Sequence, residues 1–190
     1  MGNRIFFARG KRSNVYLVDA GKKKAVAKFA KSKQFNKNLK NEAKWLKTLN
    51  KLGIGPRLIK SGKGYIICEL VNGERILDWA KKHSKSEIRQ MLVDVLKQCR
   101  VLDKLYVDKK EMTRPVKHII IDKKPVMIDF ERCKTTKKPK NVTQFFQFIM
   151  NNHAFKAKRI CFNNKELIQQ LKAYKSGLTE KQFNRLVKLI

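Results

Sequence analysis

The stretch "KAVAKFA" (Lys24 to Ala30) sets a lysine inside an apolar strand, and that lysine limits what the chain can fold into. Strand alternation puts Lys28 on one face with Val26 and Ala30, and Ala25, Ala27 and Phe29 on the other. An ammonium group held within a sheet loses hydration unless an anion meets it. Either Lys28 snorkels at a sheet edge, or a carboxylate from another element reaches it. The helical spacing of Lys37 to Leu52, with Leu39, Ala43, Leu46 and Leu49 on one face, offers such a group in Glu42.

The surrounding chain reads as strands interrupted by that helix, then helices. "NVYLVDA" (Asn14 to Ala20) and "KAVAKFA" flank a turn at Gly21 and form a hairpin. "GIGP" (Gly53 to Pro56) stops the helix, and a second hairpin follows, Arg57 to Lys60 and Tyr65 to Leu70. "RILDWAKKH" is a short helix, and Ser86 is the expected cap of a long one from Glu87 to about Leu105. Its apolar stripe is Ile88, Leu92, Val95, Leu96, Leu102 and Leu105. Two short strands, Ile119 to Ile121 and Val126 to Ile128, surround the turn "DKKP". The rest is helical: "NVTQFFQFIMN", Lys165 to Tyr174, and "LTEKQFNRLVKLI" with Thr179 as N-cap. Val71 to Gly73 is the expected hinge, dividing the chain into 1–71, strand-rich, and 72–190, mostly helical.

Charge bears on partners more than on fold. The 190 residues carry 46 Lys+Arg against 15 Asp+Glu, a net +31, while the 42% hydrophobic share is enough for a packed core. A field of that sign attracts phosphate-rich partners, RNA or ribonucleoprotein among them; the plainer alternative is an ammonium coat over every surface. Cys68, Cys99, Cys133 and Cys161 are scattered, as are His83, His118 and His153, so no zinc spacing arises and the thiols read as packing residues. The opening "MGNRIFFARG" has too short an apolar run for a signal peptide, and no stretch suits a spanning helix. The expectation is a cytoplasmic protein without membrane contact.

Two further features complete a pattern. Gly10 and Ser13, in "GKRSNVYLV", lie on a turn whose backbone amides can cradle phosphate oxygens; an ordinary strand turn is the simpler reading. Asp129 follows the apolar run "VMI", either as a strand-end cap or as a metal ligand. Phosphate turn, strand lysine, helix glutamate, hinge and terminal "IDF" acid follow the order that protein kinases use. "GKRSNVYLV…AVAKF" resembles the glycine loop and lysine strand of RIO-type atypical kinases. "NEAKWLKTLNKLGIGPRLI" is similar to the glutamate helix and following strand of small archaeal kinases, including the kinase subunit of the KEOPS complex. "EMTRP" followed by "KH" and "IDFE" resembles an archaeal family of RIO-like serine/threonine protein kinases.

That resemblance implies an α+β, protein kinase-like bilobal fold with a strand-rich N-lobe and a reduced, mostly helical C-lobe. It implies ATP as ligand with Mg²⁺, and transfer of the γ-phosphoryl group to an unknown protein or small-molecule acceptor. Lys28 would contact the α- and β-phosphates, Glu42 would orient Lys28, and Asp129 would bind the metal. Cys68 would control access to the adenine pocket, where the Glu69 carbonyl and Val71 amide would bond the adenine edge.

The catalytic loop departs from the kinase pattern. Counted without a gap, Thr113 falls on the catalytic Asp and His118 on the metal-binding Asn; threonine is a poor base. With a longer loop Glu111 takes the base position; otherwise it caps a helix end or pairs with Arg114. His118 is a metal ligand or a loop hydrogen-bonding group, and Mn²⁺ suits a mixed nitrogen and oxygen site better than Mg²⁺. Glu131 adds a carboxylate two residues after Asp129, on the same side if the chain there is extended, and Arg114 could stabilise γ-phosphate charge. The short run from Glu131 to Asn141 leaves no activation segment for an extended peptide. The expected functions are therefore a RIO-like kinase or ATPase, or a pseudokinase switch that binds RNA through its basic surface.

Overall fold

A computed structural model describes residues 4–21 and 23–190; the start of the opening stretch and Lys22 in the first hairpin turn lie outside the described residues. The chain divides into two compact units, the first running through Asn72 and including Val126–Cys133, the second holding the remainder.

The first unit is built on strands β1 (Arg4–Arg9), β2 (Ser13–Ala20), β3 (Lys23–Ala30), β4 (Leu58–Gly62) and β5 (Tyr65–Glu69), in the order β1-β2-β3-β5-β4. Every pairing is antiparallel, and Lys28 sits opposite Val15 on one side and Ile66 on the other. Lys28 is therefore on the central strand of the sheet. It is not the edge lysine that snorkelling would require. Ala25 and Ala27 are fully buried on the opposite face. Helix α1 (Asn36–Leu49) packs on β3, β4 and β5 and buries Leu39, Ala43, Leu46 and Leu49, as its spacing foretold. Gly53 ends that helical stretch in the left-handed region, φ 69°.

The second unit begins with β6 (Glu74–Arg75), which pairs with a later strand, Glu74 opposite Ile121. At Gly73 a Cβ would stand 2.2 Å from the Ile121 carbonyl oxygen, so only glycine allows this approach. Helices α2 (Ile76–Lys82) and α3 (Lys85–Lys104) follow. The cap of α3 is Ser84, and not Ser86 as expected. Ser84 accepts from the Glu87 amide while its own amide donates to the Glu87 carboxylate at 2.9 Å. Three residues beyond Ser86 stands Arg89, which cannot return such a bond. Leu105 also departs from expectation: it lies past the end of α3 and is exposed, outside the stripe.

The chain continues through β7 (Val107–Asp108), β8 (Ile119–Ile121) and β9 (Pro125–Met127), the last placed one residue earlier than its apolar run suggested. β10 (Lys134–Thr135) pairs with β7. Helices α4 (Asn141–Asn151), α5 (His153–Ala157), α6 (Asn164–Gly177) and α7 (Glu180–Val187) complete the unit, with Thr179 capping α7 as expected. Its core joins Ile88, Leu92, Val95 and Leu96 of α3 to Phe145, Phe146 and Ile149 of α4. Cys68, Cys99 and Cys133 are buried packing residues, whereas Cys161 is exposed. Among the described residues, no helix is long and apolar enough to cross a membrane.

Candidate active site

The first unit brings together the acids and the strand lysine that the sequence had separated. Lys28 Nζ lies 2.7 Å from a Glu42 carboxylate oxygen and 3.7 Å from Asp129 Oδ1. Glu42 is 2% exposed, on the α1 face turned to the sheet, and its second carboxylate oxygen has no hydrogen-bond partner among the described residues. Burial alone would lower the Lys28 pKa, but the Glu42 and Asp129 charges more than reverse this and hold the ammonium above the ordinary lysine range. For Glu42, burial pushes the carboxyl up; Lys28 pulls it down, while Asp129 and Glu131 add to the rise. The neighbouring carboxylates thus raise both groups, but for Glu42 burial is the larger cause. Burial likewise pushes the Cys68 thiol up to about 12, which keeps it a neutral, unreactive thiol.

Asp129 adopts φ 65°, a left-handed conformation uncommon for a residue with a side chain. That turn breaks the extended geometry expected for 129–131, so Glu131 does not simply repeat Asp129 on one side. Instead the Glu131 carboxylate forms an ion pair with Arg12, on the turn next to Gly10. Within that turn the Gly10 amide donates to the Ser13 carbonyl at 2.9 Å, and Ser13 is buried at the start of β2. Helix α1 grips the same segment from its other side. Asn41 Nδ2 donates to the carbonyls of Glu131 and Cys133, each at 2.9 Å, and Trp45 Nε1 donates to Cys133 at 3.0 Å. The helix that presents Glu42 thus also fixes the segment that carries Asp129. Arg12, Asn41 and Trp45 escaped the sequence reading; the arginine beside the glycine turn was the available signal. Glu69 pairs opposite Ala25 and its amide donates to Arg57, while Val71 lies beyond β5, partly exposed.

The remaining expected residues belong to the second unit. Glu111 follows the short β7 strand and lies with a carboxylate oxygen 3.8 Å from Lys109 Nζ and 3.4 Å from His118 Nδ1. Lys109 is fully buried. Sequence reasoning passed over it because it stands in a run of charged residues. Thr113 and Arg114 are exposed, and Glu111 meets Lys109 and His118 rather than the Arg114 side chain, whose backbone amide donates to the Glu111 carbonyl at 3.2 Å.

Comparison with known proteins defines the fold class. The chain is similar to the crystal structure of the Rio2 kinase from Chaetomium thermophilum, with a TM-score of 0.60 and 15% sequence identity, over 97% of this chain and 71% of that one. At that identity the likeness establishes the fold: α+β and protein kinase-like, an antiparallel sheet unit followed by a mostly helical one. By sequence, the chain is 32% identical over 75 residues to an uncharacterised protein of Methanocaldococcus jannaschii. That match covers 40% of this chain, and the chain spans 65% of the relative's length. No family model matches the chain.

Proposed function

We propose that the chain binds ATP with a divalent metal and acts as an atypical, RIO-like phosphotransferase or ATPase. The observation that carries this reading is the Lys28 ammonium, 2.7 Å from Glu42 and 3.7 Å from Asp129, on the central strand of a protein kinase-like fold. Three carboxylates (Glu42, Asp129, Glu131) against two cations (Lys28, Arg12) leave local negative charge in a chain of net +31. Hard oxygen donors with surplus negative charge suit Mg²⁺. Asp129, whose side chain is 30% exposed, would hold it. Bound there, the ion would neutralise phosphate charge. Glu131 serves instead to hold Arg12 and the Gly10 turn, and His118 to orient Glu111 through its ring nitrogen. Lys28 is assigned the α- and β-phosphates, and Glu69 and Val71 the adenine edge.

In the transfer, the acceptor oxygen bonds to the γ-phosphorus while the bond from phosphorus to the β,γ-bridging oxygen breaks, leaving ADP. Glu111 takes the acceptor proton, and Arg114 is assigned the developing γ-phosphate charge. Calorimetry with a non-hydrolysable ATP analogue and Mg²⁺ or Mn²⁺ tests the first step. Wild type should bind, and Asp129→Asn should lose at least about tenfold in affinity with metal but little without it. Equal affinities with metal would overturn the assignment. Glu111→Gln should abolish transfer or hydrolysis with binding intact.

A second reading is favoured by the loop itself. Glu111 is engaged by Lys109 and His118, and Thr113 is a poor base, as a pseudokinase switch would permit. Binding without either turnover, in both metals, would establish that reading.

A further inference from the structure

A second concave site lies wholly within the helical unit. A cavity of about 540 Å³ is lined by Tyr106, Lys137, Lys138, Lys172, Lys175 and Ser176, with no acidic residue in its wall. Among the described residues, none of these four lysines forms an ion pair, although exposed lysines elsewhere do, such as Lys24 with Asp19 and Lys82 with Glu74. Four ammonium groups around one concavity repel one another, and its walls concentrate the resulting field on whatever enters. Tyr106 is 53% exposed, a large aromatic ring left in solvent beside them.

The walls are held in place from below. Asp103 is fully buried at the end of α3. Its carboxylate accepts from Tyr174 of α6 at 2.9 Å and from Asn141 at 2.7 Å. The Asp103 carbonyl also accepts from the Tyr106 amide at 3.0 Å, and the Tyr106 carbonyl accepts from Thr136 at 2.8 Å, next to Lys137. Tyr106 itself is turned into the left-handed region, φ 55°. The Asp103 carboxylate therefore ties the helix that carries Lys172 and Lys175 to the start of α4, while its backbone carbonyl holds the tyrosine, whose own carbonyl holds the loop that carries Lys137 and Lys138. The carbonyl pole at the end of α6 would disfavour anions, but Arg100 donates to the Leu178 carbonyl at 2.7 Å and offsets it.

From this geometry we infer a binding site for single-stranded RNA, with one base stacked on Tyr106 and the flanking phosphates on the four lysines. Aromatic ring plus unpaired cations is the chemistry that recognises a single strand. A plain ammonium coat lacks the ring, the concavity and the buried frame. The site shares no residue with the proposed nucleotide site at Lys28.

The test is fluorescence anisotropy with a labelled twelve-residue oligouridylate over a range of salt, on the full chain. Tyr106→Ala should weaken binding about tenfold. The double substitution Lys172→Gln/Lys175→Gln should weaken it at least as much at low salt, and should lower the magnitude of the salt slope by about 1.4, two phosphate contacts on a single strand. Lys47→Gln/Lys51→Gln, the same charge change on α1 and the turn after it, should leave both nearly unchanged. Lys28→Met combined with Glu42→Leu should also leave RNA affinity unaltered, which separates failure here from failure of the kinase-like reading. Equal losses in the two double variants, or no loss in Tyr106→Ala, would overturn the proposal. So would free AMP or ATP displacing the strand through Tyr106 at equal affinity, which would mark a free-nucleotide site.

Discussion

The two units handle lysine in opposite ways. In the first, Lys28 sits on a central strand within reach of two carboxylates, and Arg12 is matched to a third. In the second, Lys137, Lys138, Lys172 and Lys175 stand around a cavity with no carboxylate in its wall. Net charge alone would assign both regions to the same basic surface. Pairing and exposure separate them: a half-buried, paired ammonium is part of the fold's own electrostatics, while unpaired exposed ones are available to a ligand.

The sharpest way to break that contrast is to remove one lysine from each region. Lys28→Met leaves Glu42 buried without its partner, which should cost about 3–5 kcal/mol in urea unfolding. Lys172→Met removes an exposed charge and should change stability by less than about 0.5 kcal/mol. Adding Glu42→Leu to Lys28→Met should restore most of the stability but not nucleotide binding. Similar costs for the two lysines would end the comparison.

A second test lies under Asp129. Gly55 has φ 79°, and a Cβ there would stand 2.9 Å from both Leu46 Cδ2 and Phe130 Cε2. Phe130 is fully buried and follows Asp129 directly. Gly55→Ala should cost about 2–3 kcal/mol and should weaken nucleotide binding by displacing Asp129. RNA affinity should hold once the protein is folded. A parallel loss of RNA affinity would mean that the two regions are not separate.

Asp103→Asn tests the other side. Asp103 accepts hydrogen bonds on both carboxylate oxygens, and an amide would present a donor to one of those donor groups. Unfolding free energy should fall by about 2 kcal/mol. Here RNA binding should weaken while affinity for the ATP analogue stays near wild type, the reverse of the Gly55 result.

Local chemistry decided what could be read from sequence. Helix α1 and the cap of α7 were legible because apolar spacing and a capping residue are contained in a few positions. The Lys28–Glu42 pair was legible because a strand lysine needs an anion, and the next helix offered one. Strand β1 was not, since all six of its residues are exposed and no alternation betrays it. The two-residue strands β6, β7 and β10 exist only through their ladder partners. Ser86 and Ser84 both look like caps until the reciprocal bond from Glu87 is counted. Arg12 and Glu131 are far apart in the chain, and no spacing rule joins them.

That last pair carries the smallest expected effect, and it separates two roles for Glu131. If Glu131 were a metal ligand, Glu131→Gln would weaken binding of the ATP analogue only in the presence of Mg²⁺, and Arg12→Ala would act independently of it. If its carboxylate holds Arg12 beside the Gly10 turn, each substitution breaks the same contact. Affinity should then fall with or without metal by a similar amount for each, and the double variant should be no worse than either single one. The contact is partly shielded, with side chains 29% and 13% exposed, so a coupling of about 1 kcal/mol is expected from the double-mutant cycle. A metal-dependent, additive result would return Glu131 to the metal and leave the glycine turn held by its backbone hydrogen bonds, from the Gly10 amide to the Ser13 carbonyl and from the Lys31 amide to the Arg12 carbonyl.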